Sequence, residues 1–289
     1  MVSASDCGFV GNSDVYGFGV RLGTYLQWLS SIIAPNLSRE EADAANGMNA
    51  CYQFAMLAGT IWMTQHHDLL ALESFLALLF CFGGVCLSSI QGVKLAWPSS
   101  RQQSTTADSN EYSVAALASL SLQVAVVGYG IWLVFVGLDK LGRTPQNCPE
   151  KAFFFCAVPL FGWYRTFLKV IFICSACVLA IWLLLQAGWL FRSCVEWLET
   201  WADVPETDAE VDIAPRPFLS SSLAIGILGL GVFVTAIELT LHWNDVKEVY
   251  SAGSFSQLFP ILVGVSSFLR LGYKVGVAVW RGDVRLSPV

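Results

Sequence analysis

"LLALESFLALLFCFGGVCLSSIQG", residues 69–92, is a run of 24 residues with a single charged side chain, Glu73. A helix needs about 20 apolar residues to cross the hydrocarbon layer of a bilayer. Lipid offers no partner to backbone N–H and C=O groups, so such a run must close its hydrogen bonds within itself, as a helix. Four more runs read the same way, at 113–138, 166–191, 218–241 and 257–280, and two diluted by polar residues precede them, at 15–34 and 47–64. The expected fold is therefore all-α: a polytopic bundle of seven transmembrane helices in one domain, 1–289, with an acidic loop at 192–217 and a short tail at 281–289. The run "FFFCAVPLF" at 153–161 is too short to cross and is expected to skim or re-enter the interface. No internal repeat is visible, so an inverted-repeat transporter has no direct support.

Composition agrees. Apolar residues make up 55% of the chain and charged ones 13%, against about 25% charged in a soluble domain. The net charge of −6 owes much to the seven acids of "VEWLETWADVPETDAEVD", residues 195–212, which read as a solvated loop. No basic patch is present, which argues against nucleic acid as a partner. Of the nine cysteines, Cys51, Cys81, Cys86, Cys156, Cys174 and Cys177 sit in apolar runs, where a thiol packs as a small hydrophobe, and no disulfide framework is expected. Cys174 and Cys177 have redox spacing but lie in mid-helix with no strand beside them. The first residues lack a basic n-region and a distinct apolar core, so no cleavable signal peptide is expected. The three histidines, His66, His67 and His242, make no metal-ligand pattern strong enough to commit to a metal.

Seven spans put the termini on opposite sides. The N-terminal side, side A, would hold loops 64–68, 139–165 and 242–256; side B would hold 35–46, 93–112, 192–217 and the tail. Side A carries five basic residues outside spans (Lys140, Arg143, Lys151, Arg165, Lys247) and side B seven (Arg39, Lys94, Arg101, Arg192, Arg216, Arg281, Arg285). The positive-inside rule then makes side B cytoplasmic. The sequon Asn36-Leu37-Ser38 falls on side B, too close to a span for its use to be expected.

Ionisable groups within spans are functional candidates by default. They are Arg21, Glu73, Lys169, Glu238, Arg270 and Lys274. At about 1.5 Å per residue, Arg21, Glu73 and Glu238 lie roughly 9, 6 and 5 Å in from side A. Lys169 reads as a snorkelling residue. Asn12, Ser13 or Asp14 can cap a helix start, and Gly19 and Gly23 form a small-xxx-small face for close helix packing. Arg21, on another face, is expected to turn into the bundle toward Glu73 or Glu238. Glu238 and His242 are one helical turn apart and could together move a proton; Trp243 fits an interfacial aromatic belt.

With these residues in view, the chain resembles a fungal family of seven-span membrane proteins. The resemblance rests on Gly11, Asn12, Asp14, Tyr16, Gly17, Gly19, Val20, Arg21, Gly23, Tyr25, Gln27 and Trp28 near the start. Glu238, Thr240, Trp243 and Asn244, then Gln257, Leu258, Pro260 and Gly264, extend it near the end. Some polytopic proteins of this kind are similar to transmembrane terpene cyclases of meroterpenoid pathways. That likeness implies acid-initiated cyclisation of an isoprenoid precursor entering from the membrane. A carboxylic acid protonates an epoxide or olefin, and aromatic faces shield and stabilise the cation. It would make Glu238, Glu73 and Asp14 the catalytic acids and Tyr25, Trp28, Trp62 and Trp243 the walls. Arg21, His242 and Asn244 would complete the pocket. It implies no cofactor, an endoplasmic-reticulum or other endomembrane location, and other membrane-bound pathway enzymes as partners. The alternative is a transporter, channel or sensor without catalysis, with Arg270 and Lys274 lining a path toward Glu73. A third reading is a scaffold that docks through the acidic loop.

Overall fold

The computed structural model describes residues 8–96, 111–144, 148–200, 221–252 and 254–281. The described chain is a helical bundle. A short α1 (Ser13–Tyr16) leads into α2 (Phe18–Ile33), a 3₁₀ turn (Ala34–Asn36) and α3 (Arg39–Gln65), followed by α4 (Ala71–Ala96). Next comes α5 (Glu111–Trp132), continued as a π-helix (Leu133–Gly137) and a last turn α6 (Leu138–Lys140). A hairpin of β1 (Lys151–Phe153) and β2 (Ala157–Pro159) precedes α7 (Trp163–Thr200), α8 (Ser221–Trp243) and α9 (Phe255–Arg281).

Five stretches are long and apolar enough to cross a membrane: Ala71–Ser89, Ala118–Lys140, Trp163–Leu185, Ser222–Trp243 and Ser256–Val277. Neither α2 nor α3 is among them. α2 has only 16 residues, and its Thr24, Gln27, Ser30 and Ser31 are buried among α3, α4, α8 and α9, so its polar residues face protein. α3 carries Glu40, Glu41, Asp43, Asn46, Asn49 and Gln53 between positions 40 and 53. Gln53 is nonetheless buried, with its amide oriented to donate to Cys81 O and accept from Trp28 Nε1, both at 2.9 Å.

Several boundaries depart from the sequence expectation. The expected loop 35–46 is mostly helix: Ser38 caps α3 by accepting from Glu41 N at 3.2 Å. The signal was present, since Ser38-Arg39-Glu40-Glu41 is a capping-box sequence. α4 runs on to Ala96, and α7 to Thr200, so the acidic loop begins later than position 192. Its remaining residues through 220, the stretch 97–110, and 282–289 of the tail lie outside the described residues. The apolar run at 153–161 is neither a re-entrant helix nor a loop. It lies in the hairpin, in register Lys151–Pro159 and Phe153–Ala157, an exception to the all-α expectation. Its turn places Phe155 in the left-handed region (φ 57°) and leaves that ring 83% exposed.

Cysteine usage needs one correction. Cys51, Cys81, Cys86, Cys156, Cys174 and Cys177 are free, as their apolar settings imply, but Cys148 is disulfide-bonded. Disulfides persist in oxidising compartments; with the basic-residue bias, this makes the hairpin end the side expected outside the cytosol. An impermeant maleimide should therefore modify the exposed thiol of Cys156 from the lumenal or extracellular side. A cysteine introduced at Asn36, at the other end of α2, should react only from the cytosol. Labelling of both positions from one side would overturn this topology.

Candidate functional site

The end of the bundle that carries the hairpin is knitted together by backbone. Phe9 and Gly11 pair with Lys247, through Lys247 N to Phe9 O at 2.8 Å and Gly11 N to Lys247 O at 3.1 Å. α8 ends in a Schellman-type turn: Val246 N–H donates to Leu241 O at 3.3 Å, with Asp245 in the left-handed conformation (φ 47°). Asn244 clamps the hairpin to this turn. Its Oδ1 accepts from Lys151 N at 2.9 Å, and its Nδ2 donates to Lys151 O and Thr240 O at 2.7 and 2.6 Å. Trp243 stacks on Phe153, ring centroids 6.1 Å apart. Both residues hold the hairpin in place, a structural job that the expected pocket role did not foresee.

Arg21 is the centre of this end. Its side chain is 2% exposed and its Nη1 donates to Glu238 Oε2 at 3.2 Å, whereas the Glu238 side chain is 39% exposed. Nη2 donates to Val249 O at 3.2 Å, and the guanidinium lies 5.0 Å from the centroid of the Tyr250 ring. Nε is buried without a partner. The other oxygen of Glu238 accepts from Tyr25 OH at 2.9 Å. One carboxylate thus joins two turns of α2 to α8, and the arginine joins α2 to the α8–α9 connection. From Tyr25 an aromatic column runs inward through Trp28 (5.9 Å), Phe233 (6.1 Å from Trp28) and Phe82 (6.4 Å from Phe233), with Phe80 beside it (6.3 Å from Trp28).

Glu73 has a different task. It is 4% exposed and occupied by three donors: Asn12 N at 2.9 Å and Tyr16 OH at 2.7 Å on Oε1, and Leu70 N at 2.8 Å on Oε2. It caps α4 by reaching back to Leu70 and ties the N-terminal segment to that helix start. Depth alone could not tell Glu73 from Glu238 as the partner of Arg21; the prior engagement of Glu73 decides it.

The other expected site residues are scattered. Asp14 is exposed and accepts from Ser256 Oγ. Trp62 is exposed on α3 and packs on His66, centroids 4.7 Å apart. His242 is exposed, and the bonds of Glu238 go to Arg21 and Tyr25 rather than to it. Arg270 and Lys274 do not line a path with Glu73. They pair with Glu41 at 3.2 and 3.3 Å, near the start of α3 and the opposite end of the bundle.

Sequence reasoning missed Val249, Tyr250 and Glu41. Val249 acts through its carbonyl, which no side-chain pattern reveals. Glu41 was legible only as the fourth residue of the capping box. Outside the spans, burial pushes the Glu150 carboxyl above its ordinary value, opposed by the Thr144 N–H bond and the Arg143 charge. Comparison with family models, with curated proteins and with solved structures returns no match for this chain.

Proposed function

We propose that the chain is a seven-span membrane protein of the sensor or transporter class, in which Glu238 receives the cationic head of a small amphipathic ligand. One observation carries this reading: the Arg21–Glu238 pair is 2% exposed at its cation and 39% at its anion. A group arriving from outside meets the carboxylate and not the guanidinium. Intramembrane ion pairs of this kind mark ligand and ion pathways. The exposed acids Asp14 and Glu248 at the same end add negative potential, while Asp245 lies 3.9 Å from Lys247. A cation that takes the carboxylate detaches Arg21 from α8 and leaves its bond to Val249, so ligand binding acts on how α2 is held. In this reading α2 and α3 also cross the membrane: α2 is sheltered by its neighbours, and α3 is about 40 Å long at about 1.5 Å per residue.

The test uses octylammonium and octanoate on protein in nanodiscs. Octylammonium should raise the unfolding temperature saturably, Glu238→Gln should abolish the rise, and octanoate should give none. An equal response to octanoate, or an undiminished one in Glu238→Gln, removes the proposal.

The aromatic column beginning at Tyr25 favours a second reading, the terpene-cyclase-like enzyme of an endomembrane secondary-metabolite pathway. Aromatic faces suit a carbocation. Against it, both oxygens of Glu238 already accept hydrogen bonds, whereas an initiating acid must donate a proton. Conversion of an epoxidised prenyl precursor by wild type, lost in Glu238→Gln, would restore this reading.

A further inference from the structure

We propose a second ligand site, independent of Glu238: Arg270 and Lys274, at the other end of the bundle, hold the phosphate of an anionic phospholipid from the leaflet on that side. Both cations come from α9 and rest on one oxygen of one carboxylate. Arg270 Nη2 donates to Glu41 Oε1 at 3.2 Å, and Lys274 Nζ lies 3.3 Å from the same atom. The Glu41 side chain is 7% exposed, whereas those of Arg270 and Lys274 are 56% and 49% exposed. Burial is the reverse of that in the Arg21–Glu238 pair: here the anion is inside and two cations face out.

Charge, donors and shape separate this arrangement from two snorkelling side chains. Two cations meet one carboxylate, so a positive charge is left over within Ser256–Val277, a stretch apolar enough to cross a membrane. The exposed acids Glu40 and Asp43 nearby on α3 pair with neither cation. A guanidinium carries five N–H donors, and among the described residues Glu41 is the one group that accepts from Arg270. Arg165 shows how this bundle satisfies an arginine: its fork meets both oxygens of Asp139 at 2.7 Å, and it also donates to the carbonyls of Val134 and Phe135. Beside Arg270 a recess of about 40 Å³ opens between Ser30 of α2, Glu41 and Met48 of α3, and Ser267 of α9. It has room for a phosphate oxygen or a water and not for an alkyl chain.

The occupant follows from charge and depth. Arg270 and Lys274 are one helical turn apart and share a face of α9. Lys274 stands about 4.5 Å, at about 1.5 Å per residue, short of the Val277 end of the apolar stretch. The exposed rings of Tyr273 and Trp280 lie on either side of it in sequence, as in an interfacial aromatic belt. The two cations are therefore at the level of lipid phosphates. A phosphate presents several anionic oxygens to a guanidinium fork and an ammonium at once. The surplus positive charge selects a lipid of net negative charge over a zwitterionic one. This end of the bundle is opposite the hairpin and is expected to face the cytosol, whose leaflet is the anionic one.

Titration of the full chain in nonionic detergent with dioctanoyl phosphatidic acid tests the site, read by unfolding temperature and by native mass spectrometry of bound lipid. Phosphatidic acid should raise the unfolding temperature saturably, and dioctanoyl phosphatidylcholine and inorganic phosphate at the same concentrations should not. Arg270→Gln and Lys274→Gln should each raise the half-saturating concentration at least fivefold. Arg270→Lys, which keeps the charge and loses the fork, should fall between them and wild type. Lys247→Gln removes a comparably exposed cation at the hairpin end and should leave the titration unchanged. Should a glutamine variant unfold too early for the thermal reading, the count of bound phosphatidic acid per folded chain decides, and it should drop as well. Three outcomes overturn the proposal. An equal response to inorganic phosphate would mean a free anion, and an equal response to phosphatidylcholine would mean no selection by charge. Undiminished binding by Arg270→Gln and Lys274→Gln, or an equal loss in Lys247→Gln, would mean attraction to net charge alone.

Discussion

Glu238→Leu should destabilise the protein more than Arg21→Met does, although each removes one half of the same ion pair. The asymmetry comes from burial. With Glu238 gone, a guanidinium that is 2% exposed keeps only Val249 O and the face of Tyr250. Breaking a fully buried pair by removing one partner costs about 3–5 kcal/mol. The 39% exposure of Glu238 means that solvent already screens part of the attraction, so the lower end of that range applies. With Arg21 gone, the remaining carboxylate still has Tyr25 and access to water, and the loss should be smaller. The double variant Arg21→Met/Glu238→Leu removes both charges and should recover much of the stability, because a well-packed apolar pair can replace a buried ion pair. Unfolding in nonionic detergent measures all three. If Arg21→Met proved the more damaging single change, the buried guanidinium would not be the stranded charge.

The second large effect is expected where α2 crosses α9. A Cβ at Gly23 would fall on the backbone of Pro260, chiefly its carbonyl oxygen, and a Cβ at Gly264 would fall on the backbone of Gly23. Each glycine therefore presses main chain against main chain, with no flexible side chain to give way. Gly23→Val or Gly264→Val has to push the helices apart. Overpacking typically costs about 1–3 kcal/mol, and a clash with rigid backbone belongs at the top of that range. The separation would also strain the bond from Gly19 N to Gln257 Oε1, 3.1 Å. Gly272, farther along α9, is the control: nothing lies within 4 Å of a Cβ there, so Gly272→Ala should fold to the same level. Folded yield and unfolding temperature report the difference. Wild-type stability in Gly23→Val would show that α2 and α9 pass farther apart.

The sequence determined what is set by local chemistry. Long apolar runs with few charges must be helices in lipid, and five of them are long and apolar enough to cross. The Gly19–Gly23 spacing marked the face that meets another helix. Arg21 was legible as a residue in need of a carboxylate, because an isolated guanidinium is too costly at that depth.

Tertiary structure decided which carboxylate serves it. Glu73 and Glu238 have nearly equal depth, and only the fold shows Glu73 already taken by Asn12, Tyr16 and Leu70. Depth is a one-dimensional coordinate, whereas pairing depends on which helices are neighbours and on rotation about their axes. The same reason separates Arg270 from Glu73 and joins it to Glu41. The hairpin was illegible because its strands are three residues each, too short for an alternating pattern to emerge. Asn244, on another element, holds the hairpin against α8. Local sequence fixes what a segment must satisfy; the assembled bundle selects the group that satisfies it.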